Sequence, residues 1–146
     1  MVLSSQSIKP ILQKRIEHFN HYEMGCHPHG VAVIISNKNF THIDHIDTST
    51  DELNLIQTFR NIGYNVELYC NLDANEITAV FENVGKREHS AYDSFVGCVM
   101  TCSDGQGNIY SCDCKKLGLD SLVSNSLGGA MCRTLCGKPK MIFISA

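Results

Sequence analysis

The spacing of apolar residues changes along the chain, and each spacing predicts a type of secondary structure. Residues 30–36 form a continuous apolar run rich in valine and isoleucine. The run is too short for a helix and is typical of a strand covered on both faces. Residues 66–70 alternate between apolar and polar and predict a second strand. Residues 95–100 predict a third strand, and residues 141–144 predict a fourth.

Helical patterns separate these strands. Ser49 and Glu52 have the spacing of a capping box, which predicts a helix that starts there and runs through Asn61. Asp73 and Glu76 repeat that spacing and predict the start of a second helix. The leucines between residues 117 and 127 predict a third helix. This alternation of strands and helices predicts an α/β fold with a mostly parallel sheet flanked by helices.

Length and composition limit the classes of protein to consider. The chain has 146 residues, of which 43% are hydrophobic and 18% charged, as expected of one globular domain that buries roughly two-thirds of its unfolded surface. The net charge of −3 and the lack of a basic stripe give no reason to expect nucleic acid. No secretion signal and no run of about 20 apolar residues is visible, so we expect a cytoplasmic protein without a membrane span. We interpret residues 1–22 as a short leader and residues 23–146 as the domain.

The chain contains eight cysteines, and their chemistry depends on the compartment. Without a secretion signal the thiols should stay reduced. Cys70 and Cys98 lie among strand residues, and we predict that both behave as small buried hydrophobes. Four further cysteines offer a zinc site only at a spacing that departs from the usual Cys-x-x-Cys knuckle, so we predict neither a metal nor a cofactor. These four are Cys112, Cys114, Cys132 and Cys136.

Several segments resemble the large catalytic subunit of the caspases. They follow one another in the family's order: Tyr22-Glu23-Met24, residues 31–40 with their Asn-Lys-Asn-Phe exit, residues 58–66, Glu88-His89-Ser90, residues 92–105 and residues 137–146. The resemblance implies a caspase-like fold to which this chain supplies the large-subunit part. It also implies a second polypeptide, the small subunit, which would complete the sheet.

The resemblance places the catalytic positions at the carboxyl ends of two strands, where ligands gather in open α/β sheets. Cys102 stands where the family has its histidine, and Ser103 stands where it has the oxyanion glycine. Without one extra residue near positions 104–106, Ser103 would instead take the histidine position. Ser145-Ala146 stands for the Gln-Ala that precedes the nucleophile, so the nucleophile is expected just after residue 146. His45 stands for an arginine of the substrate pocket.

These departures from the family pattern predict a loss of catalysis. A thiol titrates near pH 8.5 and does not pass a proton to a leaving amine as an imidazole does. Loss of such a partner costs on the order of 10⁴ in turnover in triad enzymes. We therefore expect a non-catalytic homologue that binds an active caspase and modulates its proteolysis in apoptosis. The alternative is the large subunit of an active aspartate-specific cysteine endopeptidase.

Overall fold

The computed structural model describes residues 22–145, so most of the predicted leader, together with Ala146, lies outside the described residues. Six strands, three α-helices and one 3₁₀ helix follow one another along this part of the chain. In order they are β1 (Gly30–Ser36), α1 (Ser49–Asn61), β2 (Tyr64–Cys70), α2 (Ala74–Lys86), β3 (Ser94–Met100), β4 (Asn108–Tyr110), β5 (Lys116–Gly118), α3 (Leu119–Leu127), the 3₁₀ helix (Arg133–Leu135) and β6 (Lys140–Ser145).

Four of the strands form one sheet in the order β2-β1-β3-β6. Every neighbouring pair in this sheet is parallel, which confirms the predicted fold class. Ser36 lies opposite Cys70 and Met100, and Met100 lies opposite Ser145. The four strands therefore reach the same edge, which we call the carboxyl edge of the sheet.

Two hydrophobic cores cover the sheet unequally. On one face, alternate residues of β1 and β3 pack against α2 and α3, with Phe81 and Leu127 among the fully buried side chains. On the other face, Ile34, Val96 and their neighbours pack against α1 through Phe59. Each strand residue points to the face opposite its neighbour, so the continuous apolar runs supply both cores.

The two capping boxes predicted from sequence have different outcomes. The one at Asp73 is confirmed, because its Oδ1 accepts from the Glu76 amide at 2.9 Å and the Glu76 carboxylate accepts from the Asp73 amide at 2.9 Å. The one at Ser49 is wrong. Thr48 is the N-cap of α1 and makes no side-chain cap hydrogen bond. Glu52 is instead buried, and its carboxylate forms an ion pair with Lys38.

A short antiparallel hairpin, β4 with β5, was not predicted from the sequence. Each of its strands has three residues, which is too short for a clear period-2 pattern. Leu117 accordingly belongs to β5 and not to the third helix, which covers Leu119–Leu127 and ends at Gly128. The hairpin matters for function because it lies directly after the segment that leaves β3.

Candidate functional site

The carboxyl ends of β3 and β6 lie side by side, as the sequence predicts. The Thr101 amide donates to the Ser145 carbonyl at 3.1 Å, which extends the pairing one residue past β3. Cys102 and Ser103 follow immediately. The structure thus brings Cys102 and Ser145 to one edge, while Ala146 is outside the described residues.

The β4–β5 hairpin contacts the segment at Cys102 and Ser103 and holds it in place. The Cys102 carbonyl accepts from the Tyr110 amide at 2.9 Å, and Ser103 forms an isolated bridge with buried Ile109. The Ser103 hydroxyl accepts from the Gly105 amide at 3.1 Å and so serves the turn that follows. A half-buried free thiol therefore occupies the position where the resemblance expects an imidazole.

His45 lies on the loop that leaves β1. It is exposed, and its Nδ1 is 2.7 Å from the Asn39 Oδ1 within the same loop. Two residues later, Asp47 accepts from the Ser49 amide at 3.0 Å, and this hydrogen bond lowers the pKa of the Asp47 carboxyl. At the substrate-pocket position where the family resemblance expects an arginine, this chain therefore has His45. The ionised carboxylate of Asp47 lies two residues away.

Two other histidines, His29 and His89, have structural partners away from the Cys102 segment. His29 precedes β1 at the opposite, amino edge of the sheet, where its Nδ1 is 3.0 Å from the Asp93 Oδ2. This hydrogen bond lowers the pKa of Asp93. His89 is fully buried, with its Nε2 2.7 Å from the Val84 carbonyl oxygen. The sequence contains no histidine after His89.

A buried polar cluster anchors the loop that carries His45. The Lys38 Nζ lies 2.8 Å from the Glu52 Oε1, and the Thr48 hydroxyl bonds both Ser36 at 2.6 Å and Glu52 at 3.3 Å. Burial alone raises the pKa of Glu52, but the hydrogen bonds from Lys38 and the nearby hydroxyls outweigh it, so the pKa lies below its ordinary value. The sequence analysis missed this cluster because it assigned Glu52 to a helix cap.

The cysteines confirm one of the two burial predictions. Cys98 is buried, and burial raises its pKa to about 11, so this thiol stays protonated and unreactive. The prediction for Cys70 is wrong, because Cys70 ends the edge strand β2 and is exposed. All eight cysteines are free thiols. Within residues 22–145, no group of three or more His, Cys, Asp or Glu side chains is placed to hold a metal ion.

A small cavity opens between α1 and the ends of β3 and β6, and we call it the α1–β6 cavity. Its volume is about 280 Å³. Its lining consists of Asp51, Asn54, Leu55, Thr58, Met100 and Ser145. Sequence analysis did not identify it, although Asp51, Asn54 and Thr58 are spaced three and four residues apart and therefore share one flank of a helix.

Strand β6 forms one edge of the sheet and leaves apolar surface open on both faces. Phe143 is 52% exposed and the next residue, Ile144, is 41% exposed. Because successive strand residues point to opposite faces, neither side of β6 is fully covered. Phe143 still approaches α1, with its ring centroid 6.4 Å from that of Phe59.

Comparison with known proteins adds independent information on this arrangement. A family model described as the caspase domain matches residues 29–146. Caspase-3 of Felis catus is 34% identical over 135 residues, which cover 87% of this chain and 46% of that protein. Caspase-3 of Xenopus laevis is 30% identical over 149 residues, covering 99% and 52%. Caspase-8 of Rattus norvegicus is 29% identical over 138 residues, covering 87% and 28%.

The chain spans about half the length, or less, of these curated relatives. None of the helices described here is both long enough and apolar enough to cross a membrane.

Proposed function

The chain belongs to the caspase family, and we propose that it is a non-catalytic member that binds an active caspase and modulates its proteolysis in apoptosis. The observation that carries this proposal is the thiol of Cys102, two residues beyond β3 at the carboxyl edge. A general base must lie within hydrogen-bond reach of the proton it moves and must titrate near the working pH. An imidazole meets the second condition and an ordinary thiol does not.

The contacts of His29, His45 and His89 support the same proposal. His29 is committed to Asp93 at the amino edge, and buried His89 is bonded to a backbone carbonyl. His45 shares the carboxyl edge, but its ring is bonded to Asn39 in its own loop. Ser103 adds a side chain where the family resemblance places a glycine, so the backbone there is less open to a substrate.

The exposed apolar residues of β6 support the proposal that the partner is a polypeptide that covers this strand. A parallel strand with apolar residues on both faces is normally buried on both, and an open edge invites association. We infer that a small-subunit polypeptide continues the sheet beyond β6, and that an active caspase joins the assembly as a heterodimer partner. We further propose a cytoplasmic setting, where thiols stay reduced.

The direct test is an assay of the whole protein on an aspartyl fluorogenic peptide, alone and with an active caspase. We expect no turnover above background by the protein alone and a changed rate for the active caspase. The sign of that change distinguishes an inhibitor from an activator. Unchanged turnover by the active caspase at saturating concentrations of the protein contradicts the proposal.

A matched pair of cysteine variants separates this proposal from the alternative, an active large subunit whose nucleophile follows residue 146. For a non-catalytic protein, Cys102→Ala leaves the modulation of the active caspase unchanged. For an active enzyme that uses this thiol to move a proton, Cys102→Ala lowers turnover by roughly 10²-fold or more. Cys136→Ala, which removes an exposed thiol outside this edge, is the control for both outcomes.

A further inference from the structure

We propose that His27 and His29 form a two-histidine binding site for a divalent transition-metal ion, with zinc as the expected ion. Both residues precede β1 and lie at the amino edge of the sheet, opposite the carboxyl edge that carries Cys102. The inference is independent of whether the chain is catalytic. It differs from the sequence-based expectation of no metal because it rests on side-chain distances that the structure adds.

The two imidazole rings are separated as two ligands of one ion would be. Their ring centroids lie 5.0 Å apart, and their planes are inclined by 47°, so the rings are not stacked in parallel. Zinc binds imidazole nitrogen at about 2.0–2.1 Å in tetrahedral geometry, which places the centroids of two ligating rings roughly 5.2 Å apart. His27 is exposed, so its ring is accessible to an ion from solvent.

Asp93 holds His29 in the tautomer that a metal ion requires. The Asp93 Oδ2 lies 3.0 Å from the His29 Nδ1 and also accepts from the Cys26 amide at 2.9 Å. The hydrogen bonds from His29 and Cys26 lower the pKa of Asp93, so its carboxylate is ionised and acts only as an acceptor. The His29 Nδ1 therefore carries the proton, and Nε2 of the neutral ring presents a lone pair. Histidines that bind metals almost always donate their other ring N–H in this way, often to a carboxylate.

There is space for an ion beside the Nε2 of His29. Gly63 lies next to this side of the ring, and a Cβ built on it would be 3.0 Å from the His29 Cδ2 and 3.4 Å from Nε2. Gly63 has a φ of 95°, which favours glycine and keeps this space open. The Nε2 has no hydrogen-bond partner among the described residues, and 16% of the His29 side chain is exposed. A hydrated ion can therefore reach this nitrogen.

The remaining ligands of the ion are water molecules. Within residues 22–145, no third side chain of His, Cys, Asp or Glu joins the pair as a ligand. The thiol of Cys26 is adjacent in sequence, but its hydrogen bond to Asp93 raises its pKa, and only a thiolate binds metal ions. We expect an exchangeable ion, held more weakly than zinc in a four-ligand structural site. Imidazole nitrogen also excludes Mg²⁺, which prefers oxygen ligands.

The test is a titration of the full 146-residue chain with Zn²⁺, followed by NMR of ¹⁵N-labelled imidazole rings. This signal identifies the nitrogen that binds, so zinc held by thiols elsewhere does not interfere. We expect the ring signals of His27 and His29 to shift along one saturation curve, with the His29 shift at Nε2 while Nδ1 keeps its proton. Mg²⁺ should leave both rings unchanged. An unshifted His29 Nε2 at saturating Zn²⁺, or separate saturation curves for the two rings, would overturn the proposal.

Variants then test the ligand pair, with the His29 Nε2 signal as the readout. His27→Gln removes one ligand, and we expect zinc affinity to fall by roughly 10-fold or more, at least the loss typical of removing an outer partner of a ligating histidine. His42→Gln removes an exposed loop histidine and should leave the affinity unchanged. Both positions are exposed, and thermal unfolding checks that each variant is folded. Equal zinc affinity in His27→Gln and His42→Gln would refute the assignment.

A third variant tests Asp93 as a positioning residue that does not touch the ion. Asp93→Asn keeps an oxygen acceptor for the His29 Nδ1–H but removes the charge, and we expect zinc affinity to fall roughly 10-fold. The ¹⁵N spectrum without metal should also show a larger fraction of the other His29 tautomer. A purely structural role of Asp93 would change the melting temperature and leave the tautomer and the affinity as they are, which would contradict this part of the proposal.

Discussion

The open surface of β6 gives a quantitative prediction for the variant Phe143→Ala. Phe143 is 52% exposed in the isolated chain. A phenylalanine that becomes fully covered buries roughly 200 Å², so a polypeptide packed on β6 would bury about half of that, or roughly 100 Å². At about 25 cal/mol per Å² of apolar surface, this is worth about 2.5 kcal/mol of association free energy.

That free energy corresponds to an affinity about 70-fold weaker for Phe143→Ala. The figure is an upper estimate, because alanine retains its Cβ. Leu53→Ala is the matched control. Leu53 is 68% exposed, but at 100° per residue it lies on the flank of α1 away from Thr58 and the cavity. We expect Leu53→Ala to leave the affinity within twofold.

The assay is titration of the chain into a fluorescently labelled small-subunit polypeptide of an active caspase, followed by anisotropy. Thermal unfolding of each variant checks that the chain itself is intact. The reasoning fails if Phe143→Ala and Leu53→Ala bind equally well. It also fails if Phe143→Ala weakens binding only as far as it lowers the stability of the chain.

Three further variants test the fold around the site. Gly85→Ala places a Cβ 2.0 Å from a carbonyl oxygen of α3. We expect urea denaturation to show that the free energy of unfolding falls by about 2 kcal/mol or more. The control is Gly25→Ala, which has open space around it and should lower the free energy of unfolding by less than about 0.5 kcal/mol. Asp93→Asn removes the carboxylate whose pKa is lowered by His29. The unmodified chain should therefore be the more stable above the ordinary carboxyl pKa, and this advantage should disappear as the pH falls through the lowered value in a series of melting curves. Asp73→Ala removes a confirmed capping box and should cost about 1 kcal/mol in the same denaturation assay.

The strands and most helices could be predicted because each has a long pattern of apolar and polar residues, and that pattern depends only on residues close together in the sequence. Residues 31–35 have no polar position, so both faces had to be covered, and the structure covers them with α1 on one side and α2 with α3 on the other. The β4–β5 hairpin could not be predicted, since three-residue strands carry too little periodicity. Its position depends on long-range contacts, such as the amide of Tyr110 with the carbonyl of Cys102.

The site was predictable only where strand order determines it. Cys102 and Ser145 meet because β3 and β6 are neighbours in a parallel sheet, which follows from the alternation of strands and helices. The pairing of Lys38 with Glu52 joins a loop to a helix, and no spacing rule connects the two positions. The capping-box rule assigned Glu52 to the wrong partner because the N-cap of the helix is Thr48, one residue before Ser49.

The four parallel strands end in register, so the residues that stabilise the fold and the residues of the candidate site lie in different parts of the chain. The residues that hold the sheet together lie within the strands, whereas Cys102, Ser103 and His45 lie on the connections beyond them. Those connections contribute none of the strand residues that form the two cores. A substitution there can therefore change the chemistry of the carboxyl edge while the packing of the strands stays the same.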